Sequence, residues 1–329
     1  MLTTLLMLIA SPALADILII AHRGASGERP EHTRLAYERA IDQGADFIEP
    51  DLVMTRDGVL LVRHENEIGG TTDVAAHPEF ADRRTTRVID GQAVEGWFSE
   101  DFTLAELMTL RARERLPELR PGSAAFDGRE PILTFEQVLE IAREGSARTG
   151  RRIGVAPELK HPSHFAARGL DVEAAFVAVL RAHGLTGAYA PVLVQCFEVG
   201  PLQRLDAVIE TPLLQLMARS GGPVDREGLT YALMATPQGL AEVARYADWI
   251  GVDTGMVEPA PGDQTRLIAD AHEAELKVAA WTFRAENAFL PEGDRIGDDP
   301  AGHGRLAERL ARFVGYGLDA AFMDQPGLW

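Results

Sequence analysis

Three carboxylates and two histidines in this chain combine side chains that bind hard cations with side chains that transfer protons. Glu49 and Asp51 are two positions apart, and Glu158 lies in a distant segment. Sites built only from oxygen ligands suit Mg²⁺ or Ca²⁺ rather than zinc. His22 and His64 can each accept and donate a proton, because imidazoles titrate near neutral pH. Together these residues predict metal-assisted acid/base chemistry.

Two cationic side chains accompany this set. Arg23 directly follows His22, and Lys160 is two positions after Glu158. A guanidinium can hold two phosphate oxygens in a fork, and a lysine ammonium acts as a point charge. The combination describes cleavage of a phosphate ester: the phosphate is polarised, the attacking oxygen loses a proton and the leaving oxygen gains one.

Strand and helix signals alternate along the chain, and most of these residues come where a predicted strand ends. The predicted strands are 16–21, 46–53, 59–63, 153–158, 191–195, 212–216, 249–252, 277–281 and 320–323. The predicted helices are 31–43, 103–113, 134–143, 172–183, 198–206, 237–246, 264–275 and 305–316. Short apolar strands separated by helices indicate a parallel sheet covered by helices. Because active sites of βα barrels lie at the carboxyl ends of the strands, we expect the site there.

The favoured fold class is α/β, a TIM-type (β/α)8 barrel with a small insertion at the barrel mouth. Nine strands are counted because both arms of a hairpin around Asp57-Gly58 are included. A tight hairpin joins antiparallel strands, so one arm is predicted to be an extra at the mouth. An open doubly wound sheet is the alternative. Its nucleotide-binding form is disfavoured, since the segment 24–27 (GASG) lacks the Gly-x-Gly-x-x-Gly spacing.

The hairpin also predicts a register. If Asp57-Gly58 is a two-residue loop, Asp51 lies directly opposite His64. Opposed residues share a face of the sheet, and Glu49 shares that face because it is two positions from Asp51. A bulge would shift this register by one residue.

Charge and composition limit the partners. The net charge of −18 argues against nucleic acid and anionic membranes, although a local metal or arginine can still create an anion site. The one cysteine, Cys196, is predicted to be a small buried side chain. Beyond the N-terminus no stretch has the ~20 apolar residues that span a bilayer, so stable membrane insertion is not expected.

The first fifteen residues, MLTTLLMLIASPALA, have the features of a signal peptide. A short apolar run is followed by Ala13-Leu14-Ala15, which is a small-x-small cleavage site. The run is short and no basic residue precedes it, so a mis-assigned start codon is the alternative. We expect cleavage after Ala15 and export to the periplasm or medium.

Several motifs along the chain support a family resemblance. They include His22-Arg23-Gly24, Pro30-Glu31-His32-Thr33, Glu49-x-Asp51, Thr55-x-Asp57-Gly58-x-Leu60-x-Val62-x-His64, Pro157-Glu158-Leu159-Lys160 and Trp281-Thr282-Phe283-Arg284. With them the sequence resembles the glycerophosphodiester phosphodiesterases, most closely the periplasmic bacterial type, over residues 17–326. Each motif alone is weak, and the set is specific.

The resemblance implies one barrel domain, 16–329, with an insertion at about 65–130, that hydrolyses a small-molecule glycerophosphodiester to an alcohol and sn-glycerol 3-phosphate. It implies one divalent metal, for which we favour Ca²⁺ over Mg²⁺. A homodimer is compatible with the resemblance. The implied residues are the metal ligands Glu49, Asp51 and Glu158, the base His22, the acid His64, the phosphate-binding Arg23 and Lys160, and the cleft-lining Trp281. Three positions depart from the family pattern: Glu65 stands where aspartate is frequent, Met323 precedes Asp324 where threonine is frequent, and Pro50 follows Glu49. Pro50 removes one strand donor, which suggests an edge or a bulge there.

Two other functions are considered. A lysophospholipase D or sphingomyelinase D type of enzyme would share the same motifs but would need an apolar rim, which the polar insertion does not offer. A binding protein on an inactive barrel would be expected to lack one of the histidines or carboxylates, and all five are present. A metal site at His161 and His164 is disfavoured because Pro162 places them in a loop, and Gln195 is not assigned to the site.

Overall fold

The computed structural model describes residues 17–329, so the predicted signal peptide lies outside the described residues. The strands are β1 (Leu18–His22), β2 (Phe47–Glu49), β3 (Asp51–Met54), β4 (Leu60–Val62), β5 (Thr85–Ile89), β6 (Gln92–Gly96), β7 (Gly154–Val155), β8 (Glu158–Leu159), β9 (Val194–Cys196), β10 (Leu213–Met217), β11 (Trp249–Asp253), β12 (Lys277–Phe283) and β13 (Ala320–Met323). The helices are α1 (Arg34–Asp42), α2 (Leu104–Leu107), α3 (Pro121–Ala124), α4 (Phe135–Thr149), α5 (Pro162–Ala166), α6 (Val172–Ala182), α7 (Val199–Asp206), α8 (Tyr231–Met234), α9 (Pro237–Val243), α10 (Thr254–Val257), α11 (Leu267–Glu273) and α12 (Leu306–Gly315). Within residues 17–329, none of these helices has the length and apolar character needed to cross a membrane.

One curled, eleven-stranded sheet forms the centre of the fold, in the order β4-β3-β8-β9-β10-β11-β12-β13-β1-β2-β7. Its pairings are parallel except that of β4 with β3. Only Pro50 separates β2 from β3, and only two residues separate β7 from β8. The pairing of β2 with β7 is followed along the sheet by that of β3 with β8. The α/β class is confirmed, and β4 is the extra antiparallel arm that the sequence predicts.

The strands bury both faces, as expected where a parallel sheet lies between two apolar layers. Ile19 and Ala321 pack with the helices in the larger apolar cluster. Their neighbours Ile20 and Phe322 pack in a smaller cluster formed mainly by strand residues within the curl of the sheet. Cys196 is buried in the larger cluster, as predicted.

The predicted hairpin register is wrong by one residue. Leu52 lies opposite Val62, and the backbone N–H of Arg63, not His64, donates to the carbonyl of Asp51 at 3.0 Å. The loop holds three residues between Thr55 and Val59, because Gly58 at φ +81° adds one residue in the left-handed conformation. His64 therefore follows the end of β4 instead of pairing with Asp51.

Helices α1, α2 and α4 each begin directly after a threonine N-cap. Helix α1 begins at Arg34 with Thr33 as N-cap, three residues later than the predicted start at 31, since 30–32 form a turn in which His32 has φ +58°. Both predicted capping boxes are present, Thr103 with Glu106 and Thr134 with Gln137. The first box begins a single turn, α2, which is much shorter than the predicted helix 103–113.

Gly24 allows the first strand end to pack against α1. Its φ is +84°, and a Cβ at this position would lie 2.7 Å from the carbonyl carbon of Ala36. The preceding Arg23 also has a positive φ, +61°. The backbone therefore turns sharply beside His22, and this turn needs glycine for both conformation and space.

We predict that Gly24→Ala destabilises the fold by about 3 kcal/mol, since it combines left-handed strain with a backbone clash. Gly58→Ala is the matched control, because Gly58 also has a positive φ but would place its Cβ in open space. That variant should cost only about 1 kcal/mol. Urea denaturation of both variants provides the comparison. Equal losses would show that the contact with Ala36 is not the dominant restraint.

Candidate active site

Three buried carboxylates converge at the breaks in two neighbouring strands, where Glu49 ends β2, Asp51 begins β3 and Glu158 begins β8. Glu49, Asp51 and Glu158 each place one oxygen within 4.8 Å of the others, and their side chains are almost fully buried. The sheet register explains the arrangement, since Asp51 pairs with Glu158 and His22 pairs with Glu49. The expected convergence of the three carboxylates is present, whereas the predicted pairing of Asp51 with His64 is not.

The ionisation of this triad fits a divalent cation. Burial, together with the charges of Asp51 and Glu158, raises the pKa of Glu49 well above its ordinary value. Burial also raises the pKa of Glu158 to about 8. Burial alone would raise the pKa of Asp51 too, but Lys160 and neighbouring histidines lower it. A hard cation between the three oxygens would offset the repulsion that makes ionisation of all three unfavourable.

His22 is held by a carboxylate at the end of β13. Its Nδ1 lies 2.6 Å from Oδ1 of Asp324. Burial and the charge of Arg23 lower the pKa of His22 to about 4, although Asp324 opposes this shift. The ring is therefore neutral at pH 7. Because Asp324 is ionised and can only accept, Nδ1 carries the hydrogen and Nε2 is left with a lone pair that can accept a proton.

His64 has the same kind of partner from the next residue. Its Nδ1 lies 2.5 Å from Oε1 of Glu65. Burial and the charges of Arg23 and Lys160 lower the pKa of His64 to about 3. Glu65, the position that departs from the family pattern, thus takes up the carboxylate role beside His64. Its pKa is lowered by the contacts with His64 and Arg115.

Arg23 and Lys160 contact the carboxylate triad. The backbone N–H of Arg23 donates to Glu49 at 2.7 Å, and its Nε lies 3.4 Å from Asp51. That Nε is buried and makes no hydrogen bond within residues 17–329. The ammonium of Lys160 lies 2.7 Å from Glu158. Both cations are therefore beside the triad, and the Nε–H of Arg23 is a donor for an anion.

The sequence profile of the Glycerophosphoryl diester phosphodiesterase family matches residues 22–328, which include the triad, both histidines and both cations. The chain belongs to this family. It is 36% identical over 287 residues to a glycerophosphodiester phosphodiesterase of Arabidopsis thaliana, covering 82% of this chain and 75% of the relative. It is 31% identical over 307 residues to one of Haemophilus influenzae, covering 84% and 81%.

Solved structures show the same fold. A family structure from Silicibacter pomeroyi superposes with a TM-score of 0.65 at 22% identity, covering 94% of this chain and 91% of the other. A phosphodiesterase from Oleispira antarctica, in complex with the product sn-glycerol-3-phosphate, superposes with a TM-score of 0.62 at 20% identity and 94% coverage of both chains.

Three further side chains lie beside the triad or support it, and the sequence did not assign them to the site. His32 is fully buried, and its Nε2 lies 2.9 Å from Oδ2 of Asp51. The buried Arg63 donates to the carbonyls of Glu31 and His32, each at 3.2 Å, and so holds the turn before α1. His32 could have been assigned from the sequence, because it belongs to the Pro30-Glu31-His32-Thr33 motif that supports the family resemblance. The amide of Gln195 lies 3.5 Å from Glu49 but bonds more closely to a backbone carbonyl, at 2.7 Å.

A cavity of about 240 Å³ opens beside Glu158 and Lys160, and Phe197 and Tyr231 form part of its wall. Trp281, predicted to line the cleft, is half-buried and packs edge-on against Phe197 at 5.8 Å between ring centroids. Its Nε1–H donates to the carbonyl of Gly251 at 3.1 Å. Trp281 therefore supports a wall residue of the cavity and is not itself among the residues that line it.

His161 and His164 do not share a metal site. The Nδ1 atom of His161 lies 2.7 Å from Asp90 at the tip of the β5–β6 hairpin. The Nε2 atom of His164 lies 2.8 Å from Glu100. The two histidines instead connect the segment around Asp90 and Glu100 to the segment that follows β8.

We predict that Glu49→Gln abolishes the thermal stabilisation that Ca²⁺ or Mg²⁺ gives the metal-free protein. Binding at a hundred times the dissociation constant should stabilise the wild type by about 2.7 kcal/mol. The variant should be as stable as the wild type without metal, because it relieves repulsion within the triad. Glu198→Gln is the control, since Glu198 is a buried acid outside the triad. Thermal unfolding with and without EDTA measures both effects, and a retained shift in Glu49→Gln would remove Glu49 from the ligand set.

Proposed function

We propose that this protein hydrolyses glycerophosphodiesters to an alcohol and sn-glycerol 3-phosphate. The observation that carries the proposal is a buried carboxylate triad flanked by two histidine–carboxylate pairs in a chain that belongs to the family along nearly its whole length. Relatives with glycerophosphodiester phosphodiesterase activity in their names, and a structural neighbour that binds sn-glycerol-3-phosphate, support the choice of substrate.

In this proposal each side chain has one task. Glu49, Asp51 and Glu158 would hold the cation, which supplies Lewis-acid polarisation of the phosphate when bound. Arg23 and Lys160 would bind the phosphate oxygens.

Proton transfer is assigned to the two imidazoles. His22 would remove the proton from the attacking oxygen through Nε2, and His64 would protonate the leaving alkoxide. Arg23 and Lys160 are among the groups that lower the pKa of His64. A bound phosphate would offset their charge and so favour the protonated, acidic form of His64.

We favour Ca²⁺ over Mg²⁺ as the native metal. Three carboxylates converge at one point, and several protein oxygens together suit the flexible, high coordination of Ca²⁺. Mg²⁺ usually keeps several waters and takes fewer carboxylates.

We further infer that the curled sheet is the TIM-type (β/α)8 barrel of the sequence prediction, within one domain 16–329 that carries an insertion at about 65–130. Counting β2 with β3 and β7 with β8 as interrupted strands gives eight parallel strands. Parallel pairings connect each to the next, and β13 pairs with β1. An open doubly wound sheet would leave two unpaired edges instead.

A lipid-acting phosphodiesterase is the alternative within enzymes. The exposed side chains of the β5–β6 hairpin, which lies at the cavity, are mostly polar, with Val88 as an exposed apolar residue. This surface offers little apolar area for a lipid interface, so we favour the water-soluble glycerophosphodiester.

His22→Ala and His64→Ala should each lower kcat/KM for glycerophosphocholine by about 10²- to 10⁴-fold, the usual contribution of general acid–base catalysis. Excess EDTA should abolish the activity. Lysophosphatidylcholine should be hydrolysed far more slowly than glycerophosphocholine. His183→Ala is the matched control, since His183 lies on the surface away from the triad. Wild-type rates in His22→Ala, or faster lysolipid hydrolysis, would contradict the proposal.

We propose that residues 1–15 direct export to the periplasm or medium. Expression of the full chain in a Gram-negative host should yield a periplasmic product whose N-terminus begins at Asp16, as read by mass spectrometry of the osmotic-shock fraction. A chain that begins at Asp16 behind an initiator methionine should stay in the cytoplasm. Recovery of the full-length chain, uncleaved, in the cytoplasm would contradict this assignment.

A further inference from the structure

Two arginines of the insertion reach the carboxylates that hold the two histidines. Arg115 and Arg120 lie between α2 and α3, in the segment 113–120 (RERLPELR), which we call the arginine segment. Their contacts show that this segment joins two halves of the site that are far apart in sequence.

Arg115 forms two ion pairs, one of them with the partner of His64. Its Nη1 and Nη2 donate to the two carboxylate oxygens of Glu65 at 3.0 and 2.7 Å. Its Nε and Nη2 donate to the two oxygens of Glu31 at 2.8 and 2.7 Å. Both contacts are bidentate, so they fix the planes of the carboxylates as well as their positions. Because Glu65 contacts His64 Nδ1, the ring of His64 is restrained through Arg115.

Arg120 makes the corresponding contact on the other side. Its Nη2 donates to Oδ2 of Asp324 at 2.5 Å, while Oδ1 of the same carboxylate contacts His22. Its Nε donates to Glu286 at 2.6 Å, and its Nη1 donates to the carbonyl of Ser26 at 3.0 Å. Arg120 is buried, and it connects the insertion to the end of β13 and to the turn after His22.

Short-range hydrogen bonds hold the spacing between the two arginines. The backbone N–H of Arg120 donates to the carbonyl of Leu116 at 2.8 Å. The N–H of Leu116 donates to the side chain of Glu114, also at 2.8 Å. Glu114 in turn accepts from the hydroxyl of Ser123. The arginine segment is therefore a compact turn, and its two guanidinium groups are held relative to each other.

We propose that the arginine segment is a positioning clamp for both proton-transfer groups of the reaction proposed above. Arg115 sets the orientation of His64 through Glu65. Arg120 sets the orientation of His22 through Asp324, whose Oδ2 also accepts from Nε of Arg284 at 2.9 Å. Fixing the carboxylate keeps the hydrogen on Nδ1 and aims Nε2 at the substrate, as outer contacts commonly do for site histidines. The insertion thus acts on catalysis without touching the substrate.

Substrates with different leaving groups distinguish the effect of Arg115 on the acid from the effect of Arg120 on the base. An ester with p-nitrophenol needs no proton on its leaving oxygen, whereas an ester with choline does. A variant that disturbs the acid should slow glycerophosphocholine much more than the p-nitrophenyl ester, and a variant that disturbs the base should slow both. His22→Ala and His64→Ala define these two responses for this protein.

We expect Arg115→Met to lower kcat for glycerophosphocholine by about 10- to 100-fold, the usual effect of losing such an outer contact, with little change in KM. Its leaving-group response should match that of His64→Ala, and the response of Arg120→Met should match that of His22→Ala. Arg113→Met is the control, because Arg113 lies in the same segment and pairs only weakly, at 3.7 Å, with Asp127. Arg115→Lys should rescue little, since lysine lacks the bidentate fork.

Nitrogen NMR of labelled histidine gives a second measurement that does not depend on activity. The wild type should show both rings as Nδ1–H tautomers, and Arg115→Met should alter His64 and leave His22 unchanged. If Arg120→Met does not fold, this spectrum and the kinetics of Arg115→Met still test the clamp.

Two results would overturn the clamp. One is that Arg115→Met and Arg120→Met slow the two substrates in the same ratio. The other is that Arg115→Met has the same histidine spectrum and the same kcat as the wild type. Active His22→Ala and His64→Ala proteins would instead contradict the proposed function, and the NMR comparison would still decide the clamp.

Discussion

The burial of three carboxylates at one point is the constraint on which the rest of the structure depends. Removing even one carboxylate from water costs several kcal/mol, and three together repel one another. The protein meets this cost in part with fixed donors: Arg23, Lys160 and His32 all contact the triad. These contacts lower the pKa of Asp51, while burial and mutual repulsion leave the pKa values of Glu49 and Glu158 raised. The side chains of the protein therefore offset only part of the negative charge of the triad. A bound divalent cation would offset the rest.

Two prolines build the triad into the sheet. Pro50 directly precedes Asp51, and Pro157 directly precedes Glu158, so two neighbouring strands are interrupted at the same level. Proline cannot donate to a ladder, but its carbonyl can accept. Pro50 accepts from the N–H of Glu158, and Pro157 accepts from that of Gln195, each at 2.9 Å. The parallel pairing thus continues across both breaks, and the carboxylates that follow are placed side by side.

The sequence predicts the elements and the location of the site well, because both depend on local signals. His22 and Glu49 lie at strand ends as predicted, whereas Asp51 and Glu158 begin β3 and β8 after a break in each strand. The capping boxes of α2 and α4 are visible as short motifs. The hairpin register was predicted wrongly because Asp-Gly is compatible with loops of two and three residues. The difference lies in the conformation of Gly58, which no neighbouring residue encodes unambiguously.

Contacts between distant segments are the part that the sequence does not predict. Arg120 and Asp324 are 204 positions apart, and Arg115 and Glu31 are 84 positions apart. The arginine segment lies in a stretch of sequence rich in charged residues, so nothing in its spacing distinguishes a buried clamp arginine from a solvated one. Only the fold shows that Arg120 is buried whereas Arg113 is largely exposed.

The chain as a whole is acidic, but the candidate site concentrates cations beside its carboxylates. A net charge of −18 would disfavour approach of an anion to the general surface. Around the triad, however, Arg23, Lys160 and Arg115 are concentrated in a partly water-excluded region, where charges act more strongly than at an exposed surface. Burial lowers the pKa of both His22 and His64, Arg23 adds to both shifts, and Lys160 adds to that of His64. In the proposed reaction, a bound phosphate would offset the charges of Arg23 and Lys160 and so make proton transfer to an imidazole more favourable.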